Sequence, residues 1–332
     1  MELSTVADDE VVLHDGVVVH RHGGLDPDTV HTFDGVAVRT LARPPGEHLC
    51  TFTTVNDVHF GEVECGIIEG LDMGPTFRAA PGAEPYPVTM NRGAVAEMAA
   101  VDPAAVLVKG DLTAEGTLAE YHDFLEAYAV FGERLHHVRG NHDVSHGADF
   151  ADDAPFAVDL PGVRLAVLDT TVAGRASGQV SAETLAWLDD LAATSQEPVL
   201  VFGHHHVWSP ASRQRPADYF GINPDDSERL VDLVAARPAI VGYFAGHTHR
   251  NRVRRLAATG EVPWVEVACV KDYPGSWAEY RVFEGGVLQV HRRISTPEAL
   301  AWTELTRQMF AGTYADYALG TVADRCFPIA WR

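Results

Sequence analysis

The chain reads as an α/β protein, a sheet covered by helices, and three observations predict this. From residue 49 onward, short apolar or β-branched runs alternate with segments of helical periodicity. Hydrophobic residues make up 46% of the 332 positions, enough for a sizeable apolar core. Finally, five short polar segments each follow an apolar run, and open α/β sheets build their sites in the loops beyond the carboxyl ends of their strands.

Taken in order, residues 1–46 contain β segments at 11–14, 17–20 and 36–40, the first two separated by the turn residues Asp15-Gly16. So short a piece cannot bury a core alone, so it is expected to pack as a β appendage, with Arg43-Pro44-Pro45-Gly46 as the joint. The main domain, residues 47–295, has strand signals at 50–55, 104–108, 135–138, 163–168, 199–202 and 240–244. A later group falls at 262–270, 280–283 and 287–291. Helices are expected at 89–100, 118–131, 181–193 and 225–236, the third with Ser181 as N-cap ahead of the stripe Leu185, Leu188, Leu191. Two Gly- and Pro-containing stretches, 61–87 and 208–224, interrupt the rhythm and read as lids, specificity walls or plain surface loops. The tail, residues 296–332, is expected to be helical, with an amphipathic segment at 298–310 and aromatics at Tyr314, Tyr317 and Phe327. It either folds back on the domain or makes a subunit contact.

Forty-seven acidic residues against 25 basic ones give a formal charge of −22, which argues against nucleic acid or an anionic membrane as partner. The acidic opening Met-Glu-Leu-Ser lacks a basic, apolar leader, and no run reaches the length of a membrane span, so a cytoplasmic protein is expected. Cys50, Cys65, Cys269 and Cys326 show no C-x-x-C spacing and read as reduced, buried thiols.

The five polar segments are Asp57-Val58-His59, Gly110-Asp111, Gly140-Asn141-His142-Asp143, Gly203-His204 and Gly246-His247-Thr248-His249. Imidazole nitrogen with carboxylate and amide oxygen suits zinc, iron or manganese, while the lack of thiolate argues against a structural zinc knuckle or an iron–sulfur cluster. The donors suffice for two divalent or mixed-valence ions. No G-x-S-x-G elbow is present, so the nucleophile is expected to come from solvent.

The series D-x-H, G-D, G-N-H-D, G-H and G-H-x-H, spaced by 54, 30, 63 and 43 residues between Asp57, Asp111, Asn141, His204 and His247, resembles the calcineurin-like metallophosphoesterase superfamily over residues 49–293. That resemblance implies two packed mixed sheets flanked by helices, a four-layer αββα fold. It assigns one ion to Asp57, His59, Asp111 and His249 and the other to Asp111, Asn141, His204 and His247. Asp111 is the bridge, since a carboxylate offers two oxygens and a neutral imidazole a single nitrogen. Within Gly203-His204-His205-His206, His204 is the first choice, His205 the second, and His206 is expected to face the substrate. The resemblance further implies in-line attack by a metal-bridging hydroxide, with His142 serving the leaving oxygen and Asp143 orienting it or a neighbouring ligand.

Gly110-Asp111-Leu112-Thr113-Ala114-Glu115-Gly116 and Leu168-Asp169-Thr170-Thr171 are similar to class III bacterial cyclic nucleotide phosphodiesterases. A small phosphodiester, with 3′,5′-cyclic AMP the leading candidate, is therefore the implied substrate, and family analogy suggests a homodimer. A phosphomonoesterase or glycerophosphodiesterase shares the same ligands, and a non-catalytic metal-binding scaffold is the alternative of another class. Arg250, Arg252, Arg254 and Arg255 form the one dense basic cluster, and their alternation fits an exposed strand face better than a nuclease surface.

Overall fold

The computed structural model describes residues 1–68, 70–146 and 150–331. The chain opens with β1 (Glu2–Val6), β2 (Glu10–Asp15) and β3 (Val18–Gly23) in one antiparallel sheet, then the hairpin β4 (Val30–Phe33) and β5 (Val36–Arg39). Next come β6 (His48–Val55), α1 (Tyr86–Ala100), β7 (Val106–Lys109), α2 (Leu118–Tyr128) and β8 (Leu135–Val138). After β9 (Phe156–Leu160), β10 (Val163–Val167) and α3 (Ala182–Thr194) the chain runs through β11 (Val199–Phe202), α4 (Pro224–Ala236), β12 (Ile240–Ala245), β13 (Arg252–Arg255) and β14 (Pro263–Glu266). It closes with β15 (Ser276–Phe283), β16 (Gly286–Arg293), α5 (Pro297–Thr306), α6 (Tyr314–Leu319) and β17 (Phe327–Ala330).

Two six-stranded mixed sheets result, ordered β17-β16-β15-β6-β7-β8 and β13-β14-β12-β11-β10-β9. Successive side chains of a strand point to opposite faces, and this period sorts the apolar runs between three cores. Leu107, Leu165, Leu200 and Phe202 meet between the sheets. Their neighbours Val106 and Val108 instead pack under Met90 of α1 and Phe124 of α2, while Val199 and Val201 pack under Leu188 of α3 and Leu230 of α4. The architecture is thus helix, sheet, sheet, helix, as the resemblance implied. Capping fits the helix starts: Thr117 and Glu120 form a capping box on α2, and Ser181 accepts from Thr184 N at α3.

β6, β7 and β8 run parallel, as do β10, β11, β12 and β14. Their carboxyl ends therefore share one rim of the sheets. The tail is more than helical, because β17 pairs with β16 at the sheet edge, where Pro328 is tolerated. The N-terminal strands lie on the same side: Thr5 Oγ1 donates to the His291 carbonyl at 2.7 Å, and Arg281 reaches Asp8 and Asp9 at 2.7 Å. Among the described residues no helix is long and apolar enough to cross a membrane.

Candidate metal centre

The turns after β6, β7, β8, β11 and β12 converge because two glycines let backbone approach. A Cβ on Gly110 would sit 2.5 Å from His204 Nδ1, and one on Gly140 would sit 2.2 Å from the Asp111 nitrogen. Asp57, His59, Asp111, His247 and His249 all adopt the left-handed backbone, with φ between +48° and +67°. Non-glycine residues take that region at a cost of about 1–3 kcal/mol and tend to do so where function demands it. Here the strained positions coincide with the donors read from the sequence.

Asp111 lies at the centre. Its Oδ2 is 3.4 Å from His59 Nε2 and 3.3 Å from His204 Nε2, and its Oδ1 accepts from the His142 backbone N–H at 2.9 Å. On one side Asp57, His59, Asp111 and His249 bring one donor atom each within 4.8 Å of one another, with His249 Nε2 3.5 Å from Asp57. On the other, His204, His205 and His247 converge equally closely, and Asn141 Oδ1 lies 3.1 Å from His204 Nε2. His204 Nδ1 faces the Lys109 carbonyl at 2.9 Å, which leaves Nε2 as its free donor.

Several buried polar atoms in this cluster have no hydrogen-bond partner: both ring nitrogens of His59, and Nε2 of His205 and His247. Buried polar groups are normally satisfied, so lone pairs left open beside two carboxylates fit the donor set of a cation. Burial opposes ionisation of Asp57 and Asp111, yet His249 beside the first and His204 beside the second hold both carboxyls below the ordinary range, Asp57 down to about 2. Burial likewise opposes a charged His204, but Asp111 lifts it to about 9. A cation entering there would displace that proton. His247 and His205 are driven well below the usual value, first by burial and then by neighbouring imidazoles, which leaves them as neutral donors.

His142 lines the cavity above this cluster, and its Nδ1 meets the Ala114 carbonyl at 2.8 Å, so Nε2 is the nitrogen that remains available. No hydrogen bond joins the Asp143 carboxylate to the His142 ring. Instead the carboxylate accepts from Leu112 N, Thr113 N, Thr113 Oγ1 and Gly140 N at 2.7–3.1 Å, tying the Asp111 turn to the Asn141 turn. His205 faces Thr170 Oγ1 at 2.9 Å through Nδ1. His206 is not brought to the cavity lining; it is buried, with Nε2 2.9 Å from the Tyr219 hydroxyl.

The sequence reading missed the supports behind the donors. Lys109 is fully buried, its Nζ 2.7 Å from Asn56 Oδ1, and burial pulls its pKa down to about 7. Asn56 in turn donates to Asp57 and to the Val267 carbonyl. Asp272 lies 4.0 Å from His249 Nδ1 and is held by Lys271, Cys269 and Tyr314. Adjacency to Asp57 was a usable signal for Asn56; Lys271-Asp272 carried none. The arginine cluster also differs from a simple exposed face, since Arg250 and Arg254 turn inward onto buried Glu266.

A family model described as calcineurin-like phosphoesterase matches residues 50–251. The glycerophosphodiester phosphodiesterase GpdQ of Enterobacter lignolyticus is 30% identical over 44% of this chain and 56% of its own length. The 3′,5′-cyclic adenosine monophosphate phosphodiesterase CpdA of Pseudomonas aeruginosa is 27% identical over 52% of this chain and 63% of its own. The match thus spans little more than half of these relatives. A dimetal phosphatase from Danio rerio superposes with a TM-score of 0.58 at 17% identity, covering 75% of this chain and 98% of that one, which shows a shared fold.

Proposed function

Since the chain belongs to the calcineurin-like phosphoesterase family, a group of hydrolases acting on phosphoric esters, we propose that it cleaves a small phosphodiester, with 3′,5′-cyclic AMP the first substrate to test. The observation that carries the reading is Asp111, shared between two donor clusters at 3.3 and 3.4 Å. Asp57, His59, Asp111 and His249 would hold one divalent ion and Asp111, Asn141, His204 and His247 the other, with manganese, iron or zinc suited to these donors. Such a pair supplies an activated water and offsets the charge that builds on the phosphoryl oxygens.

The chain's own groups do the rest. His142, its Nδ1–H fixed on Ala114, presents Nε2 toward the cavity, where a proton on that nitrogen can pass to the leaving oxygen. Asp143 keeps the Asp111 and Asn141 turns in register. His206, bonded to Tyr219, acts as a support rather than a contact to substrate.

A second reading, cleavage of a glycerophosphodiester, is favoured by the similarity to GpdQ. All four cysteines are free and buried, which suits the reducing cytoplasm where we place the protein; the solution mass decides whether it is a homodimer. Turnover of cyclic AMP, a glycerophosphodiester and a simple phosphomonoester by manganese-loaded protein tests the reading. Diesters should be preferred. A clear monoester preference would overturn the diester assignment, and inertness toward all three would favour a non-catalytic scaffold.

A further inference from the structure

The donor residues form only the floor of a cavity of about 660 Å³; its wall comes from three remote segments and carries Ile67, Met73, Phe220, Met309 and Phe310. Of the 14 large apolar side chains most exposed among the described residues, seven lie on residues 63–73 or line this cavity, Ile67 being 60% and Phe220 53% exposed. Scattered exposed apolar residues need no explanation, but a concentration at the mouth of a polar site does.

The charged groups and tyrosine hydroxyls of the wall are already engaged. Lys271 is the one lysine or arginine lining the cavity among the described residues, and it is paired with Glu62 at 2.8 Å and Asp272 at 3.0 Å. Glu64 is held by Arg78 and by Thr76 at 2.5 Å. The Tyr314 hydroxyl donates to Asp272 at 2.6 Å and that of Tyr317 to the Thr248 carbonyl at 2.9 Å. A second phosphate or a carboxylate would meet no free cation here, and what the two tyrosines offer is ring surface.

Building on the phosphodiesterase reading, we propose that this wall is a subsite for an apolar group carried by the diester, an alkyl or acyl chain that runs from the reacting phosphate past Phe310 and Met73 toward Ile67. Each methylene that leaves water completely is worth about fourfold in affinity. A chain about one third covered by the wall should therefore gain on the order of 30-fold between one and eight carbons.

The test is a series of alkyl 4-nitrophenyl phosphodiesters from methyl to octyl, kept below micelle-forming concentration, with calorimetric binding of methyl- and octylphosphonate to the same metal-loaded protein. We expect kcat/KM to rise about 30-fold along the series, mainly through KM, with octylphosphonate bound more tightly by a similar factor. The slope should fall by about half in Ile67→Ser and in Phe310→Ser. A flat series and equal phosphonate affinities would overturn the subsite while leaving phosphodiester hydrolysis intact. Retained chain-length dependence in phosphonate binding without turnover of any diester would sink the enzymatic reading and keep the subsite. If Ile67→Ser changes the oligomeric state and not the slope, the wall is a contact between copies and the inference falls.

Discussion

On the cavity floor every donor is held by backbone at a strand end, and Asp143 alone accepts four hydrogen bonds that join two of those turns. The wall is assembled differently, from Phe220 and from side chains of residues 61–68 and 70–77 laid against the tail: a Cβ on Gly66 would meet Met309 at 3.2 Å, and one on Gly74 would meet Ala311 N at 2.9 Å. Its ties to the floor are two tyrosine hydroxyls, on Asp272 and on the Thr248 carbonyl, the Glu62–Lys271 ion pair beside Asp272, and the Phe220 ring stacked on His247. Reaction chemistry and substrate fit are thus carried by separate structures. The floor is fixed by polar bonds that tolerate almost no change, the wall by apolar contacts that tolerate much.

That contrast can be broken by substitution, beginning with the floor. His142→Ala should lower kcat by about 10²–10⁴ while two ions stay bound, as expected for loss of a proton donor; loss of an ion instead would make His142 a structural member of the floor. Asp143→Asn, which turns an amide N–H toward the donors of Leu112, Thr113 and Gly140, should weaken metal affinity by about 10–100-fold, as changes behind metal ligands do. Competition against a chelator measures it, and unchanged affinity would show that the two turns hold their register alone. Tyr314→Phe, on the wall, should cost about 1.5 kcal/mol in a urea titration, since Lys271 and Cys269 still hold Asp272. Metal content and methyl-ester turnover should change less than about threefold, well below any floor variant. A loss of metal there would tie wall and floor into one unit.

The same contrast explains what the sequence revealed. The floor was legible because each donor sits beside a glycine or within a few residues of another donor, directly after an apolar run whose period of two marks a strand. The same runs indicated a sheet covered by helices, whereas the four-layer order was what the family resemblance implied. β9, with the weakly apolar Phe-Ala-Val-Asp-Leu, and β17, interrupted by Pro328, gave too little signal, and their pairing depends on partners already in place. Asp143 was read as orienting His142 or a neighbouring ligand; three of its four donors, on Leu112 and Thr113, come from a turn about 30 residues away in sequence, which no local pattern reports. His206 stood in a run of three histidines where only tertiary packing separates a ligand from the partner of Tyr219. The tail's share of the wall was least visible, since Met309, Phe310 and Tyr314 reach the cavity through the path of the tail rather than through any motif.

The most direct test of the central claim, a shared-carboxylate site for two cations that hydrolyses a phosphodiester, is metal content per chain measured beside turnover in the natural protein and in His247→Ala. Two ions per chain in the active protein, falling to one in the variant with turnover down by about 10³-fold or more, is the predicted result. Full activity in a protein that holds a single ion, or in His247→Ala, would contradict it.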